Sequence, residues 1–341
     1  MSTASPDIPL LVRLLEAHST PGDEGAVAGI LEAGWASAGW TTRRLGAFAT
    51  VARRTPLPPA RRSRRPVLLV TAHMDSPGFV VDRLPSPGAK GAARRSCGLA
   101  TLGGPDDGKR SSVPALLRTR EGLFPVSVRC REGCWEAAWT AKAAPRGLAL
   151  GDRVCFEAKP AFDGPLVTSP FLDNRLGCWL LARIAREAST WKTPFDIVLG
   201  ATGGEEHTGF GAAVLAARTA PDAVVVLDAT YENADQGVTL GGGPVLTLSD
   251  ASVLLSPALR DAVTARLAPS GAPLQHEVYN RSGTDARAFP RAGLPATILP
   301  LLLPTRGNHG PAEAADLRDA DALLNVLRIL AESWPEPLPA S

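Results

Sequence analysis

With 341 residues, 45% of them hydrophobic, the chain is long enough for one large α/β domain and a smaller one. Lys+Arg (36) nearly balances Asp+Glu (34), and a formal net charge of +2 argues against a dedicated nucleic-acid binder. No apolar run approaches a membrane span, and the opening MSTASPDIPLLVRLL reads as an amphipathic helix rather than a signal peptide.

In chain order, residues 7–18 and 23–38 are expected as helices, from apolar spacing such as Leu11, Leu14 and Leu15, with Ser19-Thr20-Pro21-Gly22 between them. Residues 41–54 read as strand, and TPLPPARRSRRP after them as a solvated loop rather than a polyanion contact. Val67 to Thr71 is a strongly apolar strand running into AHMDSPGF. His73 and Asp75 are two apart, so in extended backbone they face the same way, which suits a metal-bound imidazole steadied by a carboxylate. Residues 80–167 change character: short apolar pieces between Gly, Pro and Arg predict a small, mostly β insert, with 86–112 as a flexible loop. Cys130 and Cys134 in this stretch have no second pair and no nearby His, so buried thiols are favoured over half a zinc site. The odd total of five cysteines predicts reduced thiols and a cytoplasmic protein.

Asp173-Asn174 then opens a helix with Leu176, Trp179, Leu180 and Ile184 on its apolar face. Asp173 reads either as an N-cap or as a carboxylate with both oxygens free. Arg175 reads as pairing with a carboxylate or facing water. IVLGATGGEEHTGFG is a buried strand whose end delivers two adjacent acids, Glu205 and Glu206, into a crevice. Two like charges side by side are costly unless a cation lies between them or one is protonated. A short helix (GFGAAVLAARTA) leads to a buried strand, AVVVLDAT, that carries Asp228 at its C-terminal end, the edge where open parallel sheets bind ligands. GGGP at 241–244 lacks phosphate-loop spacing. Ser256-Pro257 starts a helix, His276 lies in a polar run and reads as surface, and Thr284 and Asp285 read as caps. ATILPLLL is the last strong strand and puts His309 on the Gly/Asn/Pro loop beyond it, ahead of a closing helix over 320–333.

His73, Asp173, Glu206, Asp228 and His309 therefore form a candidate metal set at one sheet edge. Mixed N and O donors suit zinc, with cobalt or manganese as alternatives. Two divalent ions roughly 3.5–4 Å apart need a bridge, and Asp173 is the natural one. His73 and Asp228 complete one ion, Glu206 and His309 the other. Three ligand carboxylates against four positive charges leave room for a bridging hydroxide. Glu205, beside the ligands but not spent on metal, is left to move protons.

HMDSPGF, FLDNRLG, GGEEHTGFGAA, VVVLDAT, GTDARAF and NHGPAEAADLRD occur in an order that resembles metallopeptidase family forty-two, the glutamyl and tetrahedral-type dimetal aminopeptidases. The resemblance extends over nearly the whole chain. It implies the same five metal ligands, Glu205 as general base and Asp75 as the residue that orients His73. It implies an α/β fold, zinc-peptidase-like, with a mostly parallel central sheet flanked by helices and an inserted small β domain. The division is then 1–79 plus 168–341 for catalysis and 80–167 for oligomer contact or substrate access. Two divalent metal ions per subunit, short peptides as substrates and a homo-oligomer, dimer or higher, are implied as well. The chain departs from the family pattern at His207-Thr208, where Val-Gly is usual, and at Arg306-Gly307-Asn308-His309-Gly310, where Arg-Tyr-x-His-Ser is usual. Both places flank the expected substrate pocket, so His207 and Arg306 are candidate substrate contacts.

The expected function is thus an aminopeptidase that hydrolyses N-terminal residues through a metal-bridging hydroxide. The alternatives are a dimetal amidohydrolase or deacylase acting on N-acyl small molecules, and a non-catalytic binding protein on a peptidase scaffold. Related deacylases carry their extra domain after the double glutamate, whereas here it precedes it. A glycosidase using Glu205 and Glu206 is disfavoured, because neighbours on a strand point to opposite faces.

Overall fold

The computed structural model describes residues 7–54, 65–86 and 95–335. The Pro/Arg-rich loop lies mostly outside them, as does the first part of the expected flexible loop. A large sheet runs in the spatial order Trp40–Leu45, Ala49–Arg54, Asp196–Thr202, Val67–His73, Ala223–Tyr231, Thr297–Arg306, Glu313–Asp316, Leu166–Ser169, Ala161–Asp163. Asp196–Thr202, Val67–His73, Ala223–Tyr231 and Thr297–Arg306 pair in parallel. The flanking strands in that order, and Val245–Ser249 against Thr297–Arg306, pair antiparallel, while Gln275–Val278 pairs in parallel with Val245–Ser249. The sheet is therefore mixed, and the expected parallel order holds for its four central strands.

Alternation along those strands feeds two cores. Leu68, Val70 and Ala72 point to the face covered by the helices Ile8–Glu16, Gly25–Ser37, Leu172–Glu187 and Leu317–Glu332. Val67 and Leu69 point to the other face, where Leu215, Ala216 and Phe289 cover them. Because both faces are covered, Val67–His73 is buried along its whole length. Leu11, Leu14 and Leu15 on the first helix are wholly buried, each contributing about 1.5–3 kcal/mol of transfer free energy. Asp7 accepts from Leu10 N at 3.2 Å, and Ser256 from Leu259 N at 3.1 Å, so both helix starts have side-chain caps.

Six strands, Gly78–Arg83, Ser96–Leu102, Cys134–Ala138, Gly122–Arg131, Val113–Thr119 and Arg153–Phe156, close into a small barrel. Phe79 fills it, with its ring 5.9 Å from Phe156 and 4.7 Å from Trp135. Part of the expected loop at 86–112 is thus the strand Ser96–Leu102, whose Cys97, Gly98 and Leu99 are buried in the barrel. Ala161–Asp163 and Leu166–Ser169 join the large sheet, so the barrel ends at Phe156, short of residue 167. Cys130 and Cys134 are not buried. They lie near a hairpin tip, half-buried and exposed respectively, while Cys97, Cys155 and Cys178 are buried. None of the described helices is long and apolar enough to cross a membrane.

Arg175 takes neither role expected for it. It is wholly buried, and its guanidinium donates to the carbonyls of Leu14 (3.1 Å), Ala17 (3.3 Å) and Ser19 (3.0 Å) and to Ser76 Oγ (3.3 Å). It ties the loop after the first helix to the start of Leu172–Glu187. Arg175→Met keeps the stem but strands three carbonyls. It is expected to cost about 3 kcal/mol, seen as a lower urea midpoint with unchanged slope. An unchanged midpoint would contradict this.

Candidate active site

Parallel strands put their C-terminal ends on one sheet edge, and the chemistry gathers there. His73 ends its strand, Asp228 lies near the end of Ala223–Tyr231, and His309 follows Thr297–Arg306. Glu205 and Glu206 lie beyond Thr202 in a tight turn, in which Gly204 O accepts from the backbone N–H of Thr208 and Gly209 at 2.8 and 2.7 Å. They are not on the strand itself, as the sequence pattern implied, so strand alternation does not set where they point. Gly204 has φ +73°, a conformation that suits glycine. Asp173 reaches the same edge from the start of Leu172–Glu187. Its backbone is non-helical there (φ −80°, ψ 107°), and it makes no cap. Asn174 Oδ1 accepts from Gly177 N at 3.0 Å instead, which leaves both oxygens of Asp173 free of capping.

The two imidazoles are held alike. His73 Nδ1 donates to Asp75 O at 3.0 Å, and His309 Nδ1 to Gly104 O at 3.2 Å. A carbonyl only accepts, so in each neutral ring the other nitrogen, Nε2, carries a lone pair. His73 Nε2 lies 3.2 Å from Asp173 Oδ1 and 3.2 Å from Asp228 Oδ1. His309 Nε2 lies 3.7 Å from Asp173 Oδ2 and 3.5 Å from Glu206 Oε2. Each lone pair thus faces two carboxylate oxygens, an arrangement that calls for positive charge between them. Burial of the His73 ring opposes protonation, but Asp228, Asp173 and Asp75 more than offset this, and its pKa is raised well above the ordinary value. Burial, then the neighbouring carboxylates, first among them Asp173, hold Glu206 well above the usual carboxylate range. Burial likewise raises Asp228.

The donor set therefore fits cations. Asp173 Oδ1, buried and without a hydrogen bond, faces the first imidazole, and Oδ2 faces the second. Among the described residues, His73, Asp173 and Glu206 bring one ligand atom each within 4.8 Å of one another.

Several neighbours position these groups, and of them only Asp75 was singled out from the sequence. Asp75 is fully buried, and its carboxylate faces the Glu205–Glu206 turn rather than His73. Oδ1 accepts from Glu205 N and Oδ2 from Glu206 N, both at 3.1 Å, while Oδ1 stays 3.7 Å from His73 Nδ1. The carbonyl of Asp75 takes the imidazole and its carboxylate takes the glutamate turn, so one residue sets both. Glu313, also buried, accepts from Asp173 N through Oε2 and from His309 N through Oε1, both at 2.9 Å. His309 itself adopts φ +65°. Gly104, on the loop after the barrel strand Ser96–Leu102, brings the barrel into the site, and Asp106 N bonds His309 O at 3.0 Å. The contacts of Asp75 with the glutamate turn, of Glu313 with Asp173 and of Gly104 with His309 join distant segments, with no spacing signal to announce them.

Glu205 is buried, and Oε1 accepts from Arg287 at 2.7 Å. Burial, with Asp285, Asp228 and Asp75 adding to it against the opposing charge of His73, raises its pKa well above the usual range. Arg287 sits in GTDARAF and was not singled out by sequence reasoning. Of the two candidate substrate contacts, His207 is exposed on a cleft wall that it shares with Glu205. Arg306 lies outside both cavities beside the site and pairs with Glu232 at 2.7 Å. The site cavity, about 580 Å³, is lined by the five candidate ligands and Glu205, with Asp250 and Glu277 as further acids. His276 is not among its lining residues.

A family model described as M42 glutamyl aminopeptidase matches residues 135–326. The chain is 26% identical over 321 residues to the glutamyl aminopeptidase of Lactococcus lactis subsp. cremoris, covering 84% of this chain and 85% of that protein. In fold it is similar to the TET aminopeptidase from the Thaumarchaeota archaeon SCGC AB-539-E09, with a TM-score of 0.84 at 20% identity, covering 96% of this chain and 97% of that one. It is also similar to the TET1 peptidase of Pyrococcus horikoshii, described as able to assemble into a tetrahedron or a large octahedral shell. There the TM-score is 0.81 at 19% identity, with 96% and 99% covered.

Proposed function

The chain belongs to the M42 glutamyl aminopeptidase family of peptide-bond hydrolases, and from that premise we propose that it is a two-metal aminopeptidase removing N-terminal residues from short peptides. The observation that carries the two-metal reading is the repeated one: two imidazole Nε2 atoms, each facing two carboxylate oxygens, with Asp173 common to both. In this reading His73 and Asp228 would hold one divalent ion and His309 and Glu206 the other, with Asp173 as the ligand they would share. Zinc is the favoured ion, with cobalt or manganese as alternatives. When bound, the ions supply Lewis-acid polarisation of the scissile carbonyl and acidification of water.

Glu205 supplies the proton traffic. Oε1 is engaged by Arg287, so Oε2 is the oxygen that takes a proton from the attacking water and hands it to the leaving amine. Water oxygen bonds the carbonyl carbon, the C–N bond breaks, and the proton ends on the amine nitrogen. Arg287 holds the carboxylate in place throughout. Asp75, through the amides of Glu205 and Glu206, fixes the turn that carries both acids.

We assign catalysis to 1–79 with 168–341, and oligomer contact or substrate access to the barrel-bearing 80–167. A homo-oligomer is part of the same reading, in line with the assembly described for the Pyrococcus peptidase. Chelation followed by dialysis is expected to abolish cleavage of aminoacyl-anilides, and added Zn, Co or Mn to restore it. N-acetylated anilides are expected to stay uncut. Cleavage of the acetylated substrates alone would favour the deacylase alternative.

A further inference from the structure

Glu205 lines two cavities. One is the site cavity of about 580 Å³; the other is a second cleft of about 780 Å³, open to solvent, whose walls include His207, Phe210, Arg287 and Arg291. Their charges are opposite. No Lys or Arg lines the first, whose acids are Asp173, Glu205, Glu206, Asp228, Asp250 and Glu277. The second presents two guanidinium groups and an imidazole. Its one acid, Glu205, is already paired with Arg287 at 2.7 Å. Arg291 is exposed, and among the described residues no carboxylate forms an ion pair with it.

We propose that this second cleft binds the C-terminal carboxylate of the substrate, with Arg291 as its main contact, so that the enzyme is selective for very short peptides. The inference rests on the aminopeptidase reading above. A peptide bound for N-terminal cleavage has its ammonium end among carboxylates and its scissile bond beside Glu205. The chain must then leave past Glu205, and the cleft that shares Glu205 is cationic. A fully extended peptide spans at most about 3.5 Å per residue. The carboxylate of a dipeptide or tripeptide therefore lies within reach of groups bordering Glu205, whereas that of a long peptide does not. A guanidinium matches a carboxylate in shape as well as charge, through two parallel N–H donors. Arg287 is committed to Glu205, which leaves Arg291 to meet the incoming anion. Exposed Phe210 forms an apolar wall for the side chain next to it.

The test compares Leu-Gly-Gly with its C-terminal amide on zinc-loaded enzyme, wild type and Arg291→Gln. The wild type is expected to show a KM about tenfold lower for the acid than for the amide, with similar kcat. Arg291→Gln is expected to erase that difference by raising KM for the acid only, and Arg291→Lys to restore part of it. Equal KM values for acid and amide in the wild type would overturn the assignment, as would a variant that weakens both alike. A Glu-anilide is the control for the other source of a carboxylate, an acidic N-terminal side chain. If Arg291→Gln impairs that substrate and spares the tripeptide acid, the C-terminal assignment fails. Calorimetric Kd values for acid and amide on the chelated, metal-free enzyme read the cleft without turnover, and equal values overturn it. Failure of the metal-loaded enzyme to cleave either tripeptide or a Leu-anilide would instead count against the aminopeptidase reading itself.

Discussion

Glu205→Gln is expected to lower kcat by about 10³-fold while metal content stays at the wild-type value, in keeping with the usual contribution of general acid–base catalysis. The two effects separate because Glu205 stands apart from the pairs that face the imidazoles. Its Oε1 meets Arg287, and no ion-pair contact joins it to His73 or His309. Glutamine has the same shape, and the Glu205 amide that bonds Asp75 is untouched, so the turn is retained. What disappears is a group able to accept and return a proton. Metal analysis beside anilide turnover reads both outcomes. A variant that loses metal yet keeps its activity would reverse the division of roles between Glu205 and Glu206.

Asp173→Asn is expected to remove at least one equivalent of metal and at least 10²-fold of the activity. Asp173 is the residue both imidazoles share, Oδ1 towards His73 and Oδ2 towards His309. An amide replaces one of those oxygens with an NH2 that has no lone pair to offer a cation. The fold is expected to survive, because two of the anchors of this residue are backbone. Asp173 N donates to Glu313, and its carbonyl accepts from Ser76 Oγ at 3.0 Å. Metal content after dialysis, read beside an unchanged thermal midpoint, checks it. Two ions still bound at full occupancy would end the assignment of Asp173 as bridge.

What was legible in the sequence is local. Apolar runs of strand length and helical spacing at Leu11, Leu14 and Leu15 mark elements because burial repeats with the geometry of each element. The same logic placed His73, Asp228 and His309 at or just beyond the ends of apolar strands. Once those strands are parallel, their ends share an edge, so these three candidate ligands could be grouped from the sequence, and Asp173 and Glu206 joined them as acids beside apolar elements.

Other features were decided only when distant segments met. That Arg175 is buried follows from carbonyls at the end of the first helix and in the loop after it, far away in sequence. Asp75 turns from His73 to the Glu205–Glu206 amides because the neighbouring strand delivers that turn beside it. Glu313 and Gly104 both hold His309, one at its backbone N–H from the strand after it and one at its ring from the loop after a barrel strand. The sequence by itself determined most strands and helices of the large sheet and its cover, since periodicity and apolar burial act within a few residues, but it missed the barrel strand Ser96–Leu102 and the turn that carries Glu205 and Glu206. Only the tertiary structure decided which oxygen faces which nitrogen and which cleft is cationic. Hydrogen bonds and charge pairs depend on distances of a few ångströms between residues whose separation along the chain carries no such information.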